Sequence, residues 1–331
     1  MVYRPVVRFL ALLCLLLISR LLPGQRITSA YEPIADSLHV GAGNYLPHFD
    51  RGYTVMLPDS GTATGLLLAI EDRPPDLETA DPGSLIHPAA LAAGLGVLYL
   101  STGVPVDLFL DTTSLEYVHR TLREVAQAHG LEARPVFLFG SMVAGHRALK
   151  YVEFVRRGDK PWRPDLRGAI LSESPLDWVR MWFEGVKQFR DALTPVKTFE
   201  GQLIRTLFAD AWGVTPVEDP ERFAEFSPYS YFTEEVDNRL LFNDLFIRAY
   251  TYAPLNHWST MNGNNVYDCN FPDMVGLINE QHLIGNRRAE LVVYTPGETK
   301  SSHEMQKQAD TWLRVDKQEL VDWVIACLFD H

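Results

Sequence analysis

From Thr64 to the C-terminus, short unbroken apolar runs alternate with stretches whose apolar residues recur every three or four positions. The runs are "GLLLAI" (Gly65–Ile70), "GVLYLS" (Gly96–Ser101), "PVFLF" (Pro135–Phe139), "LRGAILSE" (Leu166–Glu173), "LFIRAYTY" (Leu245–Tyr252) and "AELVVYT" (Ala289–Thr295). Little apolar–polar alternation marks them, which predicts strands buried on both faces, as in a parallel sheet. Between them, "HPAALAAGL", "SLEYVHRTLREVAQAHG", "GHRALKYVEFVRRG", "DMVGLINEQHLIG" and "DKQELVDWVIACLF" have helical periodicity. In the second of these, Leu115, Val118, Leu122 and Val125 share one face and Gly130 is the stop signal. The pattern predicts an α/β fold: a mostly parallel central sheet with helices on both faces.

One interval interrupts the alternation. From Pro175 to Asn243 no strand is predicted, yet Trp178, Trp182, Phe183, Phe189, Phe199, Phe208, Trp212, Phe223, Phe226, Tyr229, Tyr231 and Phe232 crowd together. This predicts an inserted helical cap, with most rings packed on one another and the rest facing a pocket. The expected organisation is residues 26–174 and 244–331 as two parts of one core, with 175–243 between them.

The N-terminus has another character. Arg4 and Arg8 precede "FLALLCLLLI", and Arg20 closes it. Ten apolar residues are too few to span a bilayer and fit an export signal over residues 1–25, cleaved near Gln25 or after Ala30. Cys14 follows Leu13 rather than a small residue, which argues against a lipid anchor. The expected product is secreted or periplasmic, with no stable membrane anchor after cleavage. Loss of Arg4, Arg8 and Arg20, with no acid in residues 1–25, takes the net charge from −12 to −15. That balance argues against a nucleic-acid partner. Cys269 and Cys327 remain; an oxidising compartment would allow them to pair, but Cys327 lies in an apolar helix where a buried thiol is the default.

The stretch "RPVFLFGSMVAGHRAL" (Arg134–Leu149) reads as strand, sharp turn and helix. With the insertion before the last two strands, it resembles the α/β-hydrolase superfamily, from about Tyr53 to Leu328. The resemblance implies a strained turn, the nucleophile elbow, with small residues two before and two after its apex. Gly140, Ala144 and Gly145 meet that need when Met142 is the apex. The other register makes Ser141 the apex and requires Phe139 and Val143 at the small positions, so spacing favours Met142. A thioether cannot form an acyl-enzyme. Its apolar side chain is expected to plug the cleft floor.

The resemblance also implies an acid after Leu245–Tyr252 and a histidine after the last strand. Asp268 and Asp273 are the first carboxylates available, and Asp273 also sits where an acid would cap a helix. His303 lies in the expected loop, as does Asp310 just before Trp312. After Gly65–Ile70, where such folds often supply oxyanion donors, the chain reads "EDRPPD". Glu71 and Asp72 are expected to repel a developing anion, and Pro74 and Pro75 donate no N–H. Glu173 and Asp177, after another strand, point towards the elbow and are candidates for holding a polar or cationic ligand, with Asp177 also placed to cap a helix. No metal-ligand spacing and no phosphate-binding glycine loop occurs, so neither metal nor cofactor is expected. Two readings follow. One is an exported, catalytically degenerate hydrolase-fold protein that binds a small-molecule or peptide ligand, or a partner, in the cap cleft. The other is an active serine esterase or peptidase using Ser141, His303 and Asp268 or Asp273.

Overall fold

The structure, a computed structural model, describes residues 26–192, 194–232, 238–252, 265–294 and 310–330. Its ten strands are β1 (Arg26–Glu32), β2 (Ser37–His39), β3 (Tyr45–Pro47), β4 (Arg51–Leu57), β5 (Leu66–Glu71), β6 (Gly96–Ser101), β7 (Pro135–Ser141), β8 (Asp165–Ser172), β9 (Phe246–Tyr252) and β10 (Ala289–Tyr294). Eight of them form one sheet in the order β1-β4-β6-β5-β7-β8-β9-β10. From β6 to β10 neighbouring strands are parallel, whereas β4 runs antiparallel to both β1 and β6. β2 and β3 form a separate hairpin.

The six predicted strands all form, with small shifts; the fourth ends at Ser172, so Glu173 is outside it. The first four strands were not foreseen. β1 is an exposed edge strand of polar composition ("RITSAYE"), held through its register from Arg26↔Leu57 to Glu32↔Arg51. Nothing in its own pattern separates it from a loop.

Helices α1 (His87–Ala92), α2 (Thr113–His129), α3 (Val143–Arg157), α7 (Phe271–Leu283) and α9 (Lys317–Phe329) cover the sheet. The two-residue period of a strand sends alternate side chains to opposite faces. Leu66, Leu68, Ile70, Val136 and Leu138 pack with Leu115, Val118, Leu122 and Val125 of α2, Leu149 and Val152 of α3 and Met274 of α7. Leu67, Ala69, Phe137 and Phe139 pack with Ala90 of α1 and Leu320, Val321 and Val324 of α9 on the other side. Two apolar layers therefore clamp one sheet, which is why its strands read as continuous runs.

Between β8 and β9 lie α4 (Trp178–Asp191), α5 (Pro195–Trp212) and α6 (Pro220–Phe226). Their own core is Trp178, Val179, Trp182, Ile204, Phe208 and Phe223. α4 and α5 cross closely: a Cβ on Gly201 would lie 2.5 Å from the carbonyl oxygen of Gly185 and 2.7 Å from the amide nitrogen of Phe189. Phe183, Phe189, Phe199, Tyr231 and Phe232 remain exposed, so the aromatic density divides between packing and surface. α8 (Thr311–Arg314) is a single turn before α9. Cys269 and Cys327 are free thiols.

Candidate functional site

Parallel strands bring several chain segments to one edge of the sheet. Ser141 at the end of β7 pairs with Ser172 of β8, which pairs with Tyr250 of β9; Glu71 at the end of β5 pairs with Ser101 of β6. Open α/β sheets place ligands at this carboxyl-terminal edge.

Met142 is the residue between β7 and α3. Its backbone has φ 54° and ψ −127°, a conformation that an L side chain rarely takes. Its amide donates to Ser172 O at 2.8 Å, and its carbonyl accepts from Gly145 N at 3.2 Å. The turn is tight enough to dictate its neighbours. A Cβ on Gly140 would lie 2.4 Å from the carbonyl carbon of Ala144, and one on Gly145 would lie 1.9 Å from Ser174 Oγ. Small residues at these positions follow from the turn, and they fix its apex at Met142. Ser141 is the last strand residue, half-buried, while Val143 is the first residue of α3. The Met142 side chain is 52% exposed, so it does not plug the cleft floor as expected.

The loop after β5 departs from expectation as well. Glu71 and Asp72 are not isolated negative charges. Arg147, fully buried on α3, places Nη1 4.0 Å from Glu71 Oε2 and Nη2 3.8 Å from Asp72 Oδ2. Its Nε also donates to Asp107 O at 2.7 Å. Asp72 accepts from Arg73 Nε at 3.0 Å and from Val106 N at 3.1 Å. Burial pushes the Asp72 carboxyl up, but these bonds and the two guanidinium charges together hold it below the usual range. Glu71 is 35% exposed at its side chain; burial outweighs the Arg147 charge and raises it to about 7. The expected repulsion of an anion is therefore much reduced.

The other acids are engaged in structure. Asp273 is buried in the first turn of α7 but does not cap it. It accepts from Leu176 N at 2.7 Å, Asp177 N at 3.1 Å, Arg180 Nε at 2.5 Å and Arg180 Nη2 at 2.8 Å. Asp268 closes a 3-10 turn, accepting from Asn265 N at 2.8 Å and from Lys187 Nζ of α4. Asp177 caps α4, accepting from Val179 N at 2.9 Å and Arg180 N at 3.2 Å, and also takes Tyr231 N at 3.0 Å. Burial, then the nearby Asp273 carboxylate, raises it to about 6. Glu173, at φ 47°, uses Oε1 to accept from Thr251 Oγ1 at 2.8 Å, Thr311 Oγ1 at 2.9 Å and Tyr252 N. Burial raises its carboxyl, opposed by those three bonds. Asp310 caps α8 through Trp312 N at 3.0 Å. His303 lies outside the described residues, as do residues 253–264 after β9. Among the described residues no group of three or more potential metal ligands occurs.

Sequence reasoning missed Arg147 and Arg180. Each reads as a solvated cation on an amphipathic helix, and the carboxylates that identify it as buried, Asp72 for Arg147 and Asp273 for Arg180, lie far away in the chain.

No family model matches the sequence, and no curated protein matches it by sequence. Solved structures do match the fold. Acylaminoacyl peptidase from Pyrococcus horikoshii is 10% identical with a TM-score of 0.52, over 95% of this chain and 44% of that chain. This chain thus spans less than half the length of that peptidase. An S-formylglutathione hydrolase from Agrobacterium tumefaciens is 10% identical with a TM-score of 0.50, over 92% of this chain and 95% of that one. MPT51 from Mycobacterium tuberculosis is 11% identical with a TM-score of 0.51, over 91% of this chain and 100% of its own. The chain has the α/β-hydrolase fold.

Proposed function

We propose that this chain is an exported α/β-hydrolase-fold protein without serine-hydrolase chemistry, which binds a small molecule or partner between its helical insertion and the carboxyl edge of the sheet. One observation carries the proposal: a methionine stands at the apex of an otherwise intact elbow. Covalent catalysis needs a group that loses a proton and attacks a carbonyl, and a thioether does neither. The loop after β5 adds support, because Pro74 and Pro75 offer no N–H donor to an oxyanion there. The acids suggested for a Ser141 triad are already employed, Asp273 by Arg180 and Asp268 by Lys187. Glu71 keeps part of its surface open and is a cleft acid that a ligand can reach.

Turnover of short-chain nitrophenyl esters by the purified protein and by Ser141→Ala tests this. Neither is expected to exceed the buffer rate. Activity lost in Ser141→Ala would overturn the proposal.

The apolar leader supports export, and the pairing of β1 with β4 favours cleavage before Arg26. A cut after Ala30 would remove five of the seven residues that pair with β4. The expected mature N-terminus is Arg26, checked by N-terminal sequencing of protein recovered outside the cytoplasm; a start at Tyr31 would contradict it.

A further inference from the structure

Helix α3 has a second use beyond the elbow. A cleft of about 310 Å³ opens along its later turns, against the loop before α2 and the end of α6. At 1.5 Å per residue, Lys150 lies roughly 12 Å and Gly158 roughly 24 Å along the helix from Met142, so this cleft is separate from the elbow. Its apolar walls are Phe109, Leu115, Phe154 and Phe226.

Its polar groups are arranged as donor, acceptor and anion site. Glu153 is 3% exposed and lines the cleft. Its Oε2 accepts from Lys150 Nζ at 2.6 Å, but Oε1 has no partner among the described residues. A buried carboxylate oxygen left without a donor is costly, so on a side chain that lines an open volume it favours a ligand N–H or O–H. Lys150 Nζ also lies 5.4 Å from the Phe226 ring centre. At the mouth, Lys160 Nζ sits 3.8 Å from the Phe154 ring centre, and Arg157 donates to Asn238. These two cations and Asp111 line the same cleft.

We propose that this cleft binds a small polyol bearing a terminal anionic group, phosphate or carboxylate. A hydroxyl would donate to Glu153 Oε1, the aromatic walls would cover the carbon skeleton, and Arg157 and Lys160 would hold the anion. The volume lies at the lower end of small-molecule clefts, which suits a ligand of this size. The proposal is independent of the reading of the elbow.

Titration calorimetry with glycerol 3-phosphate and with glycerate tests it, against inorganic phosphate and glycerol. At least one of the two probes is expected to bind with a dissociation constant below roughly 1 mM and at least about tenfold tighter than either fragment. Lys160→Ala, Arg157→Ala and Glu153→Gln should each weaken that binding by about tenfold or more, while Ser141→Ala leaves it unchanged. Should Glu153→Gln or Arg157→Ala fail to fold, Lys160→Ala decides, since Lys160 lies beyond the end of α3 at the mouth. Failure of both probes, equal binding of inorganic phosphate alone, or no loss in the cation variants would overturn the proposal.

Discussion

At the scale of the residue, Met142 is the point on which function turns. A side chain at φ 54° stores of order 1–3 kcal/mol of strain. With half of its surface exposed, Met142 recovers little of this by packing. Met142→Gly removes the strain and adds up to about 1 kcal/mol of unfolded-state freedom. The variant is expected to be between neutral and about 2 kcal/mol more stable by urea denaturation; destabilisation beyond about 1 kcal/mol would show the side chain to be packed after all. The elbow was legible in the sequence because steric exclusion leaves a local mark: Gly140, Ala144 and Gly145 stand where no larger side chain fits. Arg147 left no such mark. Its burial is set by Glu71 and Asp72, more than seventy residues earlier, and by the carbonyl of Asp107, so only the folded chain reveals it.

At the scale of the element, α4 is fastened to α7 by charge rather than by apolar contact alone. Asp273 takes two backbone amides from the turn before α4 and two nitrogens from Arg180. Arg180 also binds Glu184 at 2.9 Å. Burial raises the Glu184 carboxyl to about 7 against the pull of Arg180. Asp273→Ala would leave two buried amides without their acceptor and the buried Arg180 guanidinium with Glu184 as its remaining carboxylate. It should destabilise the protein by about 3–5 kcal/mol, read from chemical denaturation. A loss below about 1 kcal/mol would mean that Asp273 is not structural, reopening its candidacy as a catalytic acid. Elements with a period of their own were readable: α2 presents Leu115, Val118, Leu122 and Val125 to the core as its sequence predicts. β1 was not, since an edge strand with exposed polar side chains owes its form to the Arg26–Glu32 pairing with β4 and not to burial.

At the scale of the molecule, the order of apolar runs was enough to read the architecture, because a sheet covered on both faces must be apolar throughout. The two layers on either side of β5 and β7 realise that expectation. Chemistry was less legible than architecture. A fold fixes where a nucleophile would stand, but the identity of one side chain decides whether any is there. The central claim is therefore that no group at this elbow attacks an electrophile. Its most direct measurement is treatment of the purified protein with a fluorophosphonate, followed by intact mass and peptide mapping. The account predicts unmodified protein under conditions that fully label an active serine hydrolase; a stoichiometric adduct on Ser141 would contradict it.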